Sequence, residues 1–229
     1  MDKKRVFIAA LAASLLCGCG RRDFPENIPF FESAPITALE ANALTFPVEI
    51  PDVPLVAEEL ISYQGPYWED GSGEQVENVA ALMVYNPTEQ MVQSAVFAVD
   101  AKQGTLYFYV SRLPPESRCL VLEKNRKGYI SGVSDCRLLS VRWIHSELSA
   151  QQVNYVGLGP VVTITNREER MYSKVLVWYK RYVPEEGYYL GGSAYSACLL
   201  HLQPGEQRIL KPQMYDSSCA RVVRIEVNE

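Results

Sequence analysis

From about Leu55 to the C-terminus, apolar and polar side chains alternate in short runs broken by turn residues. Val79 to Tyr85, Val92 to Val99, Thr105 to Val110 and Cys119 to Leu122 are each of strand length. They are separated by Asn86-Pro87-Thr88-Glu89, Gln103-Gly104 and Pro114-Pro115. In the third run Leu106, Phe108 and Val110 fall on one face and Thr105, Tyr107 and Tyr109 on the other. Period two with β-branched and aromatic enrichment predicts strands half-buried in a sheet. No segment beyond residue 76 carries a helical stripe, so the expected class is all-β.

The pattern also repeats. Val84-Tyr85-Asn86-Pro87-Thr88-Glu89-Gln90-Met91 matches Ile164-Thr165-Asn166-Arg167-Glu168-Glu169-Arg170-Met171 as strand, Asn, polar turn, Met. Leu113-Pro114-Pro115-Glu116 then corresponds to Leu202-Gln203-Pro204-Gly205-Glu206, and Arg137 to Val141 aligns with Arg221 to Ile225. Asn at a strand end suits a left-handed or Asx-turn position. Three landmarks in one order predict two tandem antiparallel modules, 55–147 and 148–229, each on the scale of a small Ig-like β-sandwich. The same alignment sets Cys119 against Ile209 and Cys136 against Ala220, positions that accept a plain hydrophobe.

Ahead of the alternation lies a stretch of another kind. Pro25, Pro29, Pro35, Pro47, Pro51 and Pro54 interrupt residues 19–54, which reads as a Pro-rich tether. Before it, Met1-Asp2-Lys3-Lys4-Arg5 precedes an apolar run of 11 residues, Val6 to Leu16, and then Cys17-Gly18-Cys19. That run is shorter than the ~20 apolar residues of a spanning helix and fits a signal peptide, here 1–18. Cys19 follows the small Gly18 and has Leu16 three positions before it, whereas Cys17 follows bulky Leu15 and Leu16. The expected lipidation site is therefore Cys19. At about 0.8 kcal/mol per buried methylene, two acyl chains hold a soluble domain on a membrane.

Charge narrows the function. The full chain carries a formal −5, and the leader removes three basic residues and one acid, leaving −7 on 211 residues. Such a balance argues against nucleic acid, which demands clustered Lys and Arg, and leaves membrane attachment to the lipid. The expected localisation is extracytoplasmic, lipid-anchored to the cell membrane. Beyond the leader stand Cys119, Cys136, Cys198 and Cys219, an even number open either to disulfides closing loops of roughly 20 residues or to buried thiols acting as small hydrophobes. No paired CxxC spacing or histidine cluster points to metal, and no cofactor is expected.

The Leu16-Cys17-Gly18-Cys19 segment, Gly65-Pro66-Tyr67-Trp68-Glu69-Asp70-Gly71-Ser72-Gly73 leading into Val79-Ala80-Ala81-Leu82, and Tyr188-Tyr189-Leu190-Gly191-Gly192 resemble predicted lipoproteins of anaerobic Firmicutes. The second module, with Trp178-Tyr179-Lys180, is similar to bacterial Ig-like modules of the FxLYG type. The resemblance implies β-sandwiches at the cell surface and brings no catalytic residues.

Three clusters hold candidate chemistry. Glu69-Asp70-Gly71-Ser72-Gly73-Glu74 alternates oxygen donors as a calcium loop would, but Gln75 and Ala81 occupy the places of the required glycine and distal acid, so it reads as an acidic hairpin turn. Trp178, Tyr179, Tyr182, Tyr188, Tyr189 and Tyr195 concentrate aromatics in the second module. Alternation puts Trp178, Lys180 and Tyr182 on one face. Exposed, Trp178 and Tyr182 would stack on sugars or anchor a protein; buried, Trp178 fills the core. Neither His145 nor His201 is flanked by a Gly-x-Ser-x-Gly nucleophile elbow. The expectation is a non-catalytic binding or structural module of the cell envelope, engaging an envelope protein or wall polymer. The alternative is a solute-capturing lipoprotein of a transport system, or an envelope enzyme.

Overall fold

The computed structural model describes residues 44–102, 104–129, 131–144 and 152–229. The expected signal peptide, Cys19, most of the expected tether and His145 lie outside the described residues. Within them the chain is all-β, with no helix. The strands are β1 (Val48–Glu49), β2 (Val56–Pro66), β3 (Gln75–Asn86), β4 (Met91–Ala101), β5 (Gly104–Leu113), β6 (Ser117–Leu122), β7 (Val133–Ile144), β8 (Val153–Leu158), β9 (Val161–Asn166), β10 (Tyr172–Val183), β11 (Tyr188–Leu202), β12 (Gln207–Leu210) and β13 (Ala220–Asn228). The four strand runs, and the turns at Asn86-Pro87-Thr88-Glu89 and Pro114-Pro115 between them, fall where the alternation puts them.

The pairing order is the same in both halves. In the first, β2-β3-β6 faces β5-β4-β7; in the second, the order recurs as β8-β9-β12 and β11-β10-β13. Each pair of sheets closes on an apolar core. Ala80, Leu82 and Val84 meet Phe97, Val99, Leu106, Phe108 and Val110 in the first. Val162 and Ile164 meet Val175, Val177 and Tyr179 in the second. The core extends N-terminally past the last prolines: Ile50 and Leu55 are buried, and Leu44, Phe46, Val48 and Val53 pack against them. Residues 44–54 of the Pro-rich stretch therefore belong to the folded body.

The sequence landmarks of the repeat turn out to be bonded to one another. Asn86 Nδ2 donates to the carbonyls of Gln90 (2.8 Å), Leu113 (3.5 Å) and Pro114 (2.9 Å), and its Oδ1 accepts from Thr88 N. Asn166 Nδ2 donates to Arg170 (2.8 Å), Leu202 (3.3 Å) and Gln203 (3.1 Å), and its Oδ1 accepts from Glu168 N. A buried amide thus ties the β3–β4 turn to the β5–β6 turn, and β9–β10 to β11–β12, satisfying carbonyls that the ladder leaves over. The backbone matches too: Arg112 (φ 46°) and His201 (φ 54°), then Glu116 (φ 49°) and Gly205 (φ 66°), adopt left-handed conformations at corresponding places.

Strand register revises two alignments. Cys119 opposes Val84 and Arg208 opposes Ile164, so Arg208, not the exposed Ile209, is the counterpart of Cys119. Cys136 opposes Val99 and Val222 opposes Tyr179, which makes Val222, not Ala220, its counterpart. The first error is one residue and reverses the face; the second is two and keeps it. The pairs β4–β7 and β10–β13 are bulged at different places, so gapless alignment fails there.

The halves are joined by more than a linker. β6 pairs in parallel with β11, Arg118 with Tyr188, Cys119 with Tyr189 and Leu120 with Leu190. One seven-stranded sheet, β1-β2-β3-β6-β11-β10-β13, therefore runs through both halves.

Candidate functional site: the buried polar junction

Where the halves meet, β11 carries a wide bulge. Tyr179 opposes Tyr195 and Arg181 opposes Leu190, so Lys180 of β10 stands against four residues, Gly191 to Ala194. A bulge of that size removes backbone groups from the ladder, and three side chains take them up. Glu69, on the β2–β3 connection, accepts from Gly192 N (2.7 Å) and Ser193 N (3.0 Å) as well as from Leu122 N (2.8 Å) and Ser193 Oγ (3.0 Å). Lys180 Nζ donates to the carbonyls of Gly192 (2.6 Å), Gly191 (3.1 Å) and Ser111 (3.1 Å). Ser111 Oγ accepts from Ala194 N (2.7 Å) and donates to Gly192 O (3.3 Å). Carboxylate and ammonium grip opposite sides of one short backbone segment.

Both charges are out of water, with Lys180 at 0 % exposure. Burial pushes the Glu69 carboxyl up from its ordinary range, against the pull of its backbone donors and of Lys180. Burial likewise pushes the Lys180 ammonium down, opposed by Cys119 and Glu69. All three ammonium protons have acceptors, so Lys180 is engaged as a donor rather than poised as a nucleophile. The arrangement locks the first half, through Glu69, Ser111 and Leu122, to β10 and β11 of the second.

Gly192 is required by proximity. A Cβ there would lie 1.8 Å from Tyr109 O and 2.7 Å from Val121 Cγ1. Further along, Arg112 of β5 lays its guanidinium 3.2 Å above the Trp178 ring and forms an ion pair with Glu226 at 3.5 Å. Trp178 is 5 % exposed. Of the two alternatives weighed for Trp178, an exposed strip beside Tyr182 or a buried ring, it takes the buried one. β10 is covered on both faces, one by the β12-β9-β8 sheet and the other by the first half. Tyr182 lies apart from it, its ring 5.2 Å from that of Tyr189 and beneath the Arg221 guanidinium at 4.8 Å. Tyr179 is core, and Tyr195 donates its hydroxyl to Trp68 O.

The acidic stretch 69–74 is the β2–β3 connection, as its glycines predict: Gly71 (φ 73°) and Gly73 (φ 63°) make the turns. Its carboxylates are spent within the protein. Glu69 enters the junction, while Asp70 and Glu74 bracket Arg126 at 2.7 and 2.6 Å. Beside the junction opens a cleft of about 410 Å³, walled by Tyr67, Tyr109 and Leu122 and edged by Lys124, Asn125 and Arg126.

None of Cys119, Cys136, Cys198 and Cys219 is in a disulfide. Cys198 opposes Leu176, whereas the Cys219 carbonyl accepts from Tyr182 N. Those levels are six residues apart along β10, about 20 Å, far beyond a bridge's Cα reach of about 7 Å. Cys119 and Cys136 are buried, and the Cys119 thiol is turned to Gly191 O at 3.1 Å. Of the two alternatives left open by the spacing, disulfides or thiols, the cysteines are thiols here. Burial pushes the Cys119 thiol up to about 11 and that of Cys136 up to about 12 from 9.0. An acid whose folded pKa is raised contributes stability that is full below 9.0 and is lost as pH climbs toward those values. Since the counterpart of Cys136 is Val222, Cys136→Val is expected to leave neutral-pH stability within about 1 kcal/mol and to flatten the alkaline decline. Urea titrations at several pH values check both. Alkylation of native protein at pH 8, mapped by mass spectrometry, is expected to modify Cys198 and Cys219 well before Cys119 and Cys136.

The junction residues were missed by pattern reading, although two signals existed. β10 carries apolar residues on both faces, Leu176 and Trp178 opposite Val175 and Val177, which marks a strand buried on both sides. Gly191-Gly192 inside a strand marks a bulge or close backbone approach. No protein-family model, curated protein or solved structure matches this chain.

Proposed function

We propose that this protein is a lipid-anchored, extracytoplasmic, non-catalytic module of the cell envelope: two tandem Ig-like β-sandwiches, 55–147 and 148–229, presented on a Pro-rich tether to a protein or wall-polymer partner. The observation that carries the reading is the welded junction. A chain whose halves share a seven-stranded sheet and a buried Glu69–Lys180 clamp holds two lobes at a constant distance and angle, as a spacer or presenting scaffold must. The leader 1–18, with Leu16-Cys17-Gly18 immediately before Cys19, supports anchoring at Cys19. Metabolic labelling with an alkyne fatty acid tests it: wild type is expected to carry the label in the membrane fraction, and Cys19→Ala to lose both label and membrane attachment. Undiminished labelling of the variant would refute the anchor.

The cleft beside the junction favours one second reading, capture of a small solute for transport. Its aromatic walls and polar rim suit a partly apolar molecule. A melting temperature raised by one member of a small-solute panel, and not raised in Tyr109→Ala, would select that reading over the scaffold.

A further inference from the structure

The two halves share one plan but not one set of neighbours. In the first half, edge strand β2 is covered by β1, Val48 against Ala57, and edge strand β6 by β11. The outer face between them is covered as well: Ile61, Ala81 and Leu120 pack with Tyr67, Tyr188 and Leu190. In the second half the corresponding sheet ends at β8 on one side and β12 on the other, with no strand paired outside either among the described residues.

Register identifies the matching positions. Ile61 opposes Ala81 as Leu158 opposes Val161, and Leu120 opposes Met83 as Ile209 opposes Thr163. Leu120 is 3 % exposed, whereas Ile209 is 68 %, Leu158 75 % and Val156 57 %. The same module face is thus protein-covered in one half and bare in the other.

The bare face is also uncharged. Val153-Asn154-Tyr155-Val156-Gly157-Leu158 and Val161-Val162-Thr163-Ile164-Thr165-Asn166 contain no Asp, Glu, Lys, Arg or His. Arg208 of β12 is turned back onto Leu200 O, His201 O and Glu206. Edge strands that avoid pairing carry lysine, proline or inward charge, and β8 has none of these. The other outer strands do carry charge: β7 has Asp135, Arg137 and Arg142, and β13 has Arg221, Arg224 and Glu226.

We infer that β8 is a self-association edge, pairing antiparallel with β8 of a second copy about a two-fold axis and extending the sheet to β12-β9-β8-β8-β9-β12. The occupant follows from charge. In a chain of net −5, two copies repel wherever their acids meet, and a two-fold contact sets like against like. Only an uncharged edge removes that cost. A six-residue strand pair with its flanking Val156 and Leu158 buries less than a standard interface, so the dimer belongs to the weak, reversible class.

Cross-linking of the full chain in the cells that express it tests this. With Val156→Cys and a bis-maleimide linker spanning about 10 Å, roughly twice the inter-strand spacing, a band at twice the chain's mass is expected. Leu139→Cys, an exposed apolar site on β7, is expected to give no more dimer than wild type, which sets the background from the native thiols. Adding Leu158→Lys to Val156→Cys is expected to cut the dimer band about tenfold, while near-ultraviolet circular dichroism of the purified variant stays native. Equal cross-linking of the Val156→Cys and Leu139→Cys proteins would overturn the inference. So would a band at the mass of a different protein, which would give the edge another occupant.

Discussion

Replacing Gly192 with alanine is expected to cost at least about 3 kcal/mol and to leave the junction unable to close. The new methyl would sit 1.8 Å from Tyr109 O, a backbone atom of β5, and 2.7 Å from Val121 Cγ1. A rotamer change could move the valine, but β5 is held by its ladder to β4. The bulge of β11 must therefore retreat from the first half. It would take with it the Gly192 N–H that Glu69 accepts and the Gly192 carbonyl that Lys180 and Ser111 reach. Urea unfolding followed by tryptophan fluorescence checks the magnitude, because Trp178 lies in the same contact. Gly187→Ala supplies the contrast: no atom lies within 4 Å of a Cβ there, and its cost is limited to the left-handed backbone at φ 76°. Equal losses at both sites would mean that the close approach at Gly192 does not constrain the fold.

Lys180→Met is expected to lower stability by about 3–5 kcal/mol, and Glu69→Gln by a similar amount, because each leaves the other charge buried and unmatched. The Lys180→Met change also abandons the Ser111, Gly191 and Gly192 carbonyls. Combined, the two substitutions are expected to cost less than the sum of the singles by more than about 1 kcal/mol, the sign of one coupled unit. Strict additivity would show instead that the two charges act on separate parts of the bulge.

The pH profile gives an independent check. Burial already raises the Glu69 carboxyl above its ordinary 4.5, and loss of the Lys180 cation raises it further. A carboxyl raised in the folded state binds more protons there than in the unfolded chain, so its stability is full in acid and is lost as pH rises from about 4.5. Lys180→Met is thus expected to be closest to wild type in acid and to diverge from it toward neutrality.

Within the sequence itself, the alternation of Leu106, Phe108 and Val110 determined one face of the first core, and the paired Asn86 and Asn166 determined that the plan occurs twice. These features are local. A strand's faces follow from its two-residue period, and a turn asparagine caps carbonyls a few residues away. The same period could not tell Val222 from Ala220 as the match for Cys136, since a two-residue slip leaves every face unchanged. Only tertiary structure decided that the face with Trp178 and Lys180 is buried. Its cover comes from Ser111 and Arg112, about seventy positions earlier in the chain, and no pattern along one strand records what another half of the molecule places against it. Tertiary structure likewise turned Glu69, an acid in an ordinary-looking hairpin loop, into half of a buried charge pair, because the orphaned amides of the β11 bulge exist only once β10 and β11 have paired out of step.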